Sequence, residues 1–225
     1  MKKTVAFIPA RAGSTRIKNK NIAPINGYPM LEWSVRAAQC LDGVHEVYVS
    51  TDGEAIAELA ANLGATVVMR KPELATSTAT SESVIEDFLK TRGPSKPDIV
   101  LFMEVPQPFK DVPAINKALQ IMKNGFVDSM FLGFPSNFFL WNERNESVTF
   151  DYKNRQRTQD MEKLLLECGD YLFTHESFME HKCRLGGTIR HVETNRFAQM
   201  DVDEPEDLRL VQAIAKEFNL KPAGL

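Results

Sequence analysis

The sequence predicts an α/β protein with a mostly parallel β-sheet, and two observations carry this prediction. Short apolar segments alternate with longer amphipathic segments through the first two-thirds of the chain. The amphipathic segments repeat apolar residues three and four positions apart, which is typical of helices, whereas the apolar segments are short enough to be buried strands. Strands that alternate with helices form βαβ units, and the strands of such units run parallel.

Each predicted strand is a run of mainly apolar residues that ends at polar or turn-forming ones. In chain order the predicted strands are Thr4–Pro9, Glu46–Ser50, Thr66–Met69, Asp98–Met103, Asp128–Phe134, Tyr171–Phe173 and Thr188–Val192. Ligands of parallel sheets bind beyond the carboxyl ends of the strands. We therefore expect the site at the loops after Pro9, Ser50, Met103 and Phe134.

The predicted helices are the amphipathic segments between these strands. They are Pro29–Cys40, Glu54–Leu63, Thr80–Leu89, Val112–Met122 and Pro205–Phe218. In the first of them, Leu31, Val35 and Ala38 share one face. Gly64 directly follows the second, as is common where a helix ends.

The alternation breaks down at about residue 137, where polar and aromatic residues replace the periodic pattern. A hairpin is possible near Asn142–Phe150. Neither repeats nor a low-complexity linker indicate a second domain. We expect one domain over residues 1–225 with an excursion over about 137–185, suited to a lid or a dimer interface.

Composition and charge exclude several functions. The chain has 225 residues, 43% of them hydrophobic, and a net charge of −3. That charge argues against a nucleic-acid partner, and the apolar runs are far shorter than the roughly 20 residues that span a membrane. Three cysteines without a CxxC pair fit a reducing compartment. Because the apolar segment Thr4–Ala10 is too short for a signal peptide, we expect a cytoplasmic protein.

The loop after the first strand has the composition of a phosphate site. Its small residues, Ala12 to Ser14, let backbone N–H groups form a concavity that binds anions. The same loop carries four cations: Arg11, Arg16, Lys18 and Lys20. The loop matches neither GxGxxG nor GxxxxGK[ST], so neither a dinucleotide fingerprint nor a P-loop is present. It suits a triphosphate, and the alternative is a solvated basic loop.

Six blocks of sequence together carry a resemblance to a known family. They are Phe7–Ser14 with Lys20, Asn21, Gly27 and Pro29; Val49–Asp52; Arg70–Ala75; Thr78–Ser81; Arg157–Asp160; and Asp201–Leu208. In this order, over nearly the whole chain, they resemble the acylneuraminate cytidylyltransferases, which are CMP-sialic acid synthetases and relatives that act on other nine-carbon acidic sugars. The Arg157 block, with Gly169 after it, is similar to the pseudaminic-acid branch; pseudaminic and legionaminic acid enzymes are the most similar in pattern.

The resemblance implies a Rossmann-like three-layer nucleotidyltransferase fold and a homodimer. It implies that CTP and a 2-keto sugar acid give a CMP-sugar and pyrophosphate, with Mg²⁺ as cofactor. The catalytic residues that it implies are Arg11, Lys20 and Asp203. The implied nucleotide-binding residues are Ala10, Arg11, Ala12, Gly13, Ser14, Asn21, Thr80 and Ser81. The alternative role of Thr80 and Ser81 is to cap the helix that begins there.

The resemblance also implies a sugar site and a metal site. Glu104, Arg157 and Gln159 are the implied sugar-binding residues. Asp203 and Asp201 are the implied metal ligands, and two carboxylates separated by one residue point the same way in an extended segment. The acidic residues from Glu204 to Asp207 have a simpler explanation, since they can cap and charge the first turn of the last helix.

The chain departs from the family pattern after the fourth strand. Glu104 stands where the family has glutamine, and Lys110 stands where it has arginine. An ionised glutamate only accepts hydrogen bonds, and lysine lacks the fork of arginine. We hypothesise that Glu104 either changes the acceptor contacts or joins Asp203 at a metal.

Several alternatives remain at this point. The aromatic run Phe138–Trp141 is either a dimer core or a wall for N-acyl groups. The enzyme could act on an eight-carbon ulosonic acid instead, or the chain could be a non-catalytic nucleotide- or sugar-binding relative. A glycosyltransferase is less compatible, because its DxD motif is expected midway along the chain and Asp201–Asp203 lies near the end.

Overall fold

The structure is a computed structural model that describes residues 2–225, so that Met1 lies outside it. The strands of this region are β1 (Thr4–Pro9), β2 (Pro24–Ile25), β3 (Tyr28–Pro29), β4 (Glu46–Thr51), β5 (Thr66–Met69), β6 (Ile99–Met103), β7 (Ser129–Ser136), β8 (Leu164–Thr174) and β9 (Ile189–Glu193). Its helices are α1 (Met30–Gln39), α2 (Glu54–Asn62), α3 (Ser81–Thr91), α4 (Val112–Lys123), α5 (His175–His181) and α6 (Pro205–Glu217).

The main sheet confirms the predicted mostly parallel arrangement. Its strand order is β5-β4-β1-β6-β8-β7-β9, and β2 and β3 form a separate hairpin. Strand β1 lies parallel to β4 and β6, and β7 lies parallel to β9. Strand β8 runs antiparallel to its neighbours β6 and β7. The carboxyl ends of β1, β4, β5 and β6 therefore meet at one edge of the sheet.

Helices cover both faces of this sheet, because β1 is apolar on both sides. Ala6 and Ile8 belong to one core, and Val5 and Phe7 belong to the other. Helices α1, α2, α4 and α6 supply the first core, whereas α3 and α5 supply the second. The three-layer fold is thus confirmed. Nowhere in residues 2–225 does a helix have the length and apolarity to cross a membrane.

A short hairpin replaces part of the predicted loop before α1. Strands β2 and β3 pair across Asn26 and Gly27, whose φ angles are 48° and 85°. Two consecutive positive φ angles are the requirement of a type I′ turn, for which Asn-Gly is a preferred pair. The Asn-Gly pair was therefore a hairpin signal in the sequence.

Strand β8 corrects the expected extent of the excursion. The sequence predicted a strand only at Tyr171–Phe173, but β8 runs from Leu164 to Thr174 and lies inside the sheet. Helix α5 follows it directly. The part outside the sheet is therefore 137–163, shorter than the expected 137–185. Inside it the expected hairpin is reduced to an isolated bridge between Trp141 and Ser147.

A bulge in β8 links the sheet to the loop after β6. The pairing with β7 shifts register so that Gly169 and Asp170 have no β7 partner. Asp170 is buried and accepts from Lys110 Nζ at 2.6 Å, and the same ammonium donates to the Glu104 carbonyl oxygen at 2.7 Å. Gly169 N–H donates to Gln107 Oε1 at 2.6 Å. The bulge therefore holds residues 104–110 at the sheet edge.

We predict that Lys110→Met lowers the free energy of unfolding by about 3–5 kcal/mol, because the substitution leaves the Asp170 carboxylate buried without a partner. Denaturant unfolding measures this change. Lys90→Met is the matched control, since Lys90 pairs with Glu86 on an exposed helix face, and it should change stability little. Equal losses in the two variants would contradict a special role for the buried pair.

Candidate active site

A cavity of about 390 Å³ opens at the carboxyl edge of the sheet. Its walls come from the loop after β1, the segment between β5 and α3, the loop after β6 and the segment before α6. The predicted site residues that line it are Arg11, Ser14, Lys20, Asn21, Thr80, Ser81, Glu104 and Asp203. The loops after Ser50 and Phe134, also expected at the site, contribute no residue to this lining.

Three hydrogen bonds hold the loop after β1 in place. Ala10 N–H donates to the Ser50 carbonyl oxygen, Ala12 N–H donates to Asp52 Oδ1, and Asn21 Nδ2 donates to the Arg11 carbonyl oxygen, each at 2.8 Å. Ala10 and Asn21 are buried. The loop is therefore fastened to β4 and closed on itself. Gly13 has open space around it, where a ligand can approach the backbone.

Contact between this loop and α2 requires a glycine. A Cβ atom at Gly53 would lie 2.7 Å from the Ala12 side chain. Gly53 directly follows Asp52, which accepts from the Ala12 N–H. Asp52 therefore binds the loop, and Gly53 leaves room for it.

Cationic side chains line one part of the cavity. They are Arg11, Arg16, Lys20 and Arg70. Lys18, the fourth cation predicted in the loop, is exposed and lies outside the lining. Arg70 takes its place: its guanidinium donates to Ser50 Oγ and to the Ser50 carbonyl oxygen, both at 3.0 Å. Burial lowers the pKa of Arg70, and the charge of Arg11 lowers this pKa further, whereas Asp52 opposes the decrease. Arg70 nevertheless stays charged at neutral pH, because the pKa of arginine is strongly basic.

An acidic segment from the far end of the chain meets these cations. Lys20 Nζ donates to Asp203 Oδ1 at 3.1 Å and to the Val202 carbonyl oxygen at 2.8 Å. Arg16 lies 3.7 Å from Asp203 and 3.3 Å from Glu204. Because Val202 N–H donates to the Pro106 carbonyl oxygen, this segment is also fastened to the loop after β6.

Asp201 lies beside the cavity lining rather than in it. Its side chain is open to solvent, yet it sits among protein atoms that partly desolvate it. This desolvation raises the pKa of Asp201, and the charge of Asp203 raises it further, while Lys20 opposes the rise. The predicted capping of α6 is confirmed, since Glu204 and Asp207 form a reciprocal capping box.

The start of α3 contributes two hydroxyl residues. Thr80 is the N-cap, and its Oγ1 accepts from Ser83 N–H at 3.1 Å. Thr80 and Ser81 also line the cavity. Capping and a place at the site are therefore compatible for Thr80.

Glu104 forms the opposite wall with residues that the sequence did not single out. Its Oε1 lies 3.3 Å from Nη1 of Arg184, whose Nε donates to Glu82 at 3.0 Å. Burial raises the pKa of Glu104, and Arg184 and Lys110 oppose the rise. Arg70 stood in a recognised block and could have been found there. Arg184 carried no local signal, because only the tertiary fold brings it to Glu104.

Two of the predicted sugar-binding residues lie outside the cavity. Arg157 is exposed and pairs with Asp160 at 2.7 Å, and Gln159 is exposed beside it. Neither lines the cavity.

The fold is that of nucleotidyltransferases. A solved structure titled CMP:2-keto-3-deoxy-manno-octonic acid synthetase complexed with CTP superposes with a TM-score of 0.72 over 96% of this chain and 99% of its own, at 20% identity. At that identity the likeness concerns the fold alone. The fold and the cavity therefore define an α/β protein with the fold seen in nucleotidyltransferases.

The family follows from the sequence comparisons. The family described as Cytidylyltransferase matches residues 5–216, and the chain belongs to it. N-acylneuraminate cytidylyltransferase A of Danio rerio is 29% identical over 88% of this chain and 47% of its own length. An 8-amino-3,8-dideoxy-manno-octulosonate cytidylyltransferase of Shewanella baltica is 33% identical over 90% of this chain and 94% of its own. The chain spans about half the length of the N-acylneuraminate cytidylyltransferases that it matches.

We predict that Asp52→Ala frees the loop after β1, because the Ala12 N–H loses its acceptor. Hydrogen exchange at the Ala12 amide should quicken by about tenfold, the equivalent of one net hydrogen bond. Asp42→Ala is the control, since Asp42 is an exposed aspartate in a loop away from this site. Unchanged exchange at Ala12 in Asp52→Ala would show that other contacts hold the loop.

Proposed function

We propose that this protein is a cytidylyltransferase that joins CMP from CTP to an acidic, sialic-acid-like nine-carbon sugar and releases pyrophosphate. The observation that carries the proposal is the meeting of Arg11, Lys20 and Asp203 at one cavity. Cations and backbone N–H groups suit a triphosphate, and membership of the family supports CTP as the nucleotide.

The chain's own residues supply position and charge. The oxygen of the sugar's anomeric hydroxyl attacks the α-phosphorus and forms a P–O bond, and the hydroxyl proton passes to solvent. The bond from the α-phosphorus to the oxygen that bridges to the β-phosphorus breaks, and pyrophosphate leaves with the electron pair. Arg11 and Lys20 neutralise the charge that grows on pyrophosphate, which is the main requirement of such a transfer. The backbone N–H groups of Arg11 and Gly13 and the Ser14 side chain contact the nucleotide phosphates. Ala10, Ala12 and Asn21 hold this loop in place for the nucleotide, because their donors are bonded to Ser50, Asp52 and Arg11. Thr80 and Ser81 contact its nucleoside part.

Mg²⁺ fits the acidic side of the site. Magnesium is usually bound by one or two carboxylates together with phosphate oxygens. Asp203 is close enough to Asp201 for its charge to raise the pKa of Asp201, and a cation would relieve that repulsion. These two residues would hold Mg²⁺, which when bound adds positive charge beside the phosphates. Within residues 2–225 no group of three or more His, Cys, Asp or Glu side chains is placed to hold a metal ion.

The acceptor sugar binds on the Glu104 side in this proposal. Arg157 and Gln159 remain proposed contacts, which would need the 137–163 segment to close over a site. An eight-carbon ulosonic acid is the second candidate. It is favoured by the Shewanella baltica relative, because that match covers nearly the whole length of both chains.

We also infer a cytoplasmic homodimer. The 137–163 segment exposes Phe138, Leu140, Trp141, Val148 and Tyr152. Apolar side chains grouped in one exposed segment mark an interaction surface. The cytoplasmic location is supported by the cysteines, since Cys40, Cys168 and Cys183 are all free thiols.

The activity is tested by pyrophosphate release with CTP, ATP, GTP and UTP against sialic, legionaminic, pseudaminic and octulosonic acids. We expect release with CTP alone among the nucleotides. Arg11→Ala and Asp203→Ala should each lower kcat by about 100-fold or more, since each removes charge stabilisation at the reacting phosphates.

Lys18→Ala is the matched control for the cationic loop. Lys18 carries the same charge in the same loop but does not line the cavity, so its rate should stay within about twofold because a distant exposed charge is screened. Release with ATP but not CTP would refute the nucleotide assignment. No release with any pair would favour a binding protein.

The dimer is tested by sedimentation of Trp141→Glu, which places a charge in the exposed aromatic segment. We expect the variant to be a monomer where the unmodified protein is a dimer. Phe126→Glu is the control, because Phe126 is 98% exposed and lies outside the segment. A dimer that persists in Trp141→Glu would locate the interface elsewhere.

A further inference from the structure

Glu104 offers a carboxylate oxygen to the cavity. Its Oε1 faces Arg184, which among the described residues is the only side chain that donates to this carboxylate. Its Oε2 lies next to Gly169, where an added Cβ would come within 2.9 Å. Strand β8 thus needs a glycine at this position to leave room for the Glu104 side chain, and Glu104 lines the cavity.

Arg184 holds Glu104 but does not balance its charge alone. The guanidinium is shared, because its Nε donates to Glu82 at 3.0 Å while Nη1 reaches Glu104. Its central carbon lies 4.9 Å from the Phe102 ring centre and 4.7 Å from that of Tyr171. Two aromatic faces and two carboxylates therefore fix the guanidinium, so that one positive charge serves two negative ones.

No other cation of this wall supplies the positive charge that would balance both Glu104 and Glu82. Lys110 is the nearest candidate, but its ammonium is taken up by the buried Asp170 at 2.6 Å. Asp201 adds a further negative charge that acts on Glu104. Lys20, which acts on Asp201, is bonded to Asp203. Among the described residues, Glu104 and Glu82 thus share a single ion-pair partner, Arg184.

The two sides of the cavity are therefore opposite in charge. Arg70 follows β5 and Arg11 follows β1, whereas Glu104 follows β6, the strand on the other side of β1. A ligand that spans the cavity meets cations at one end and an acidic wall at the other. The phosphates of a nucleotide match the first end, and the acceptor lies toward the second.

We propose that the acceptor is an amino sugar acid and that Glu104, held by Arg184, binds its free amine as an ammonium ion; this inference rests on the function proposed above. A carboxylate that lacks a full counter-charge gains more from an ammonium than from a hydroxyl, because the hydrogen bond is then charged on both sides. A neutral glutamine would serve a hydroxyl equally well. A divalent metal is disfavoured here, since the Arg184 guanidinium is directly bonded to Glu104.

The test compares pairs of acceptors in which one member carries a free amine and the other carries a hydroxyl or an acetamido group at the same position. One pair is 3-deoxy-manno-octulosonate and its 8-amino-8-deoxy analogue. The other is a nine-carbon diacetamido sugar acid and the same acid with one acetyl group removed. With CTP, we expect one free amine to raise kcat/KM over its partner by roughly tenfold or more, the scale of one charge-assisted hydrogen bond.

Glu104→Gln then separates charge from shape. We expect this substitution to lower kcat/KM for the preferred amine acceptor by roughly 10- to 100-fold. The kcat/KM of the matching acceptor without the amine should change by no more than about threefold, since glutamine still bonds neutral groups. Glu86→Gln is the matched control on α3, because Glu86 pairs with Lys182 and Lys90 away from the cavity. CTP binding and the melting temperature of each variant confirm that the fold is intact.

The outcomes separate this inference from the proposed function. Turnover of only the hydroxyl and acetamido acceptors would overturn the amine and leave the cytidylyltransferase intact. An equal loss for all acceptors in Glu104→Gln, or a changed Mg²⁺ dependence, would also overturn it and would place Glu104 in the reaction centre. If CTP binds but no acceptor releases pyrophosphate, the proposed function itself fails, and the inference fails with it.

Discussion

Four cationic side chains share one cavity, and their mutual repulsion must be offset before any ligand arrives. Asp203 and Glu204 do this for Lys20 and Arg16, with nitrogen–oxygen distances of 3.1 to 3.7 Å. The Lys20 ammonium also bonds the Val202 carbonyl oxygen. Since Val202 bonds back to the loop after β6, one network joins the beginning and the end of the chain and sets the shape of the site.

The sheet makes this network possible. Strand β1 is apolar on both faces and is buried between two helical layers, so its carboxyl end has a fixed place. The loops that follow it are then held by few bonds, chiefly those of Ala10, Ala12 and Asn21. Strand β1 is rigid, and hydrogen bonds already hold the loop that follows it. The backbone N–H groups of that loop can therefore meet a ligand without the entropic cost of ordering the loop first.

The acidic wall around Glu104 has a different origin. It depends on a bulge in β8, which turns Asp170 toward Lys110 and sets Gly169 against Glu104. Bulges commonly re-aim side chains next to active sites. The two walls therefore have separate origins. The loop after β1 supplies most of the cationic wall and Arg70 adds one residue from after β5, whereas the acidic wall depends on the pairing of distant strands. A change in acceptor can follow from the second without disturbing the first.

The sequence by itself determined the α/β class, the strands β1 and β5, the capping of α6 and the cationic loop, because each depends on residues close together in the chain. It also contains the Asn26-Gly27 pair, which is a preferred pair for a type I′ hairpin turn. Only the tertiary structure decided that Lys18 stays outside the cavity while Arg70 enters it, and that Arg184 reaches Glu104. It also decided that β8 is long and central. Such features depend on the order and register of strands, and these are set by burial and pairing across the whole sheet rather than by local periodicity.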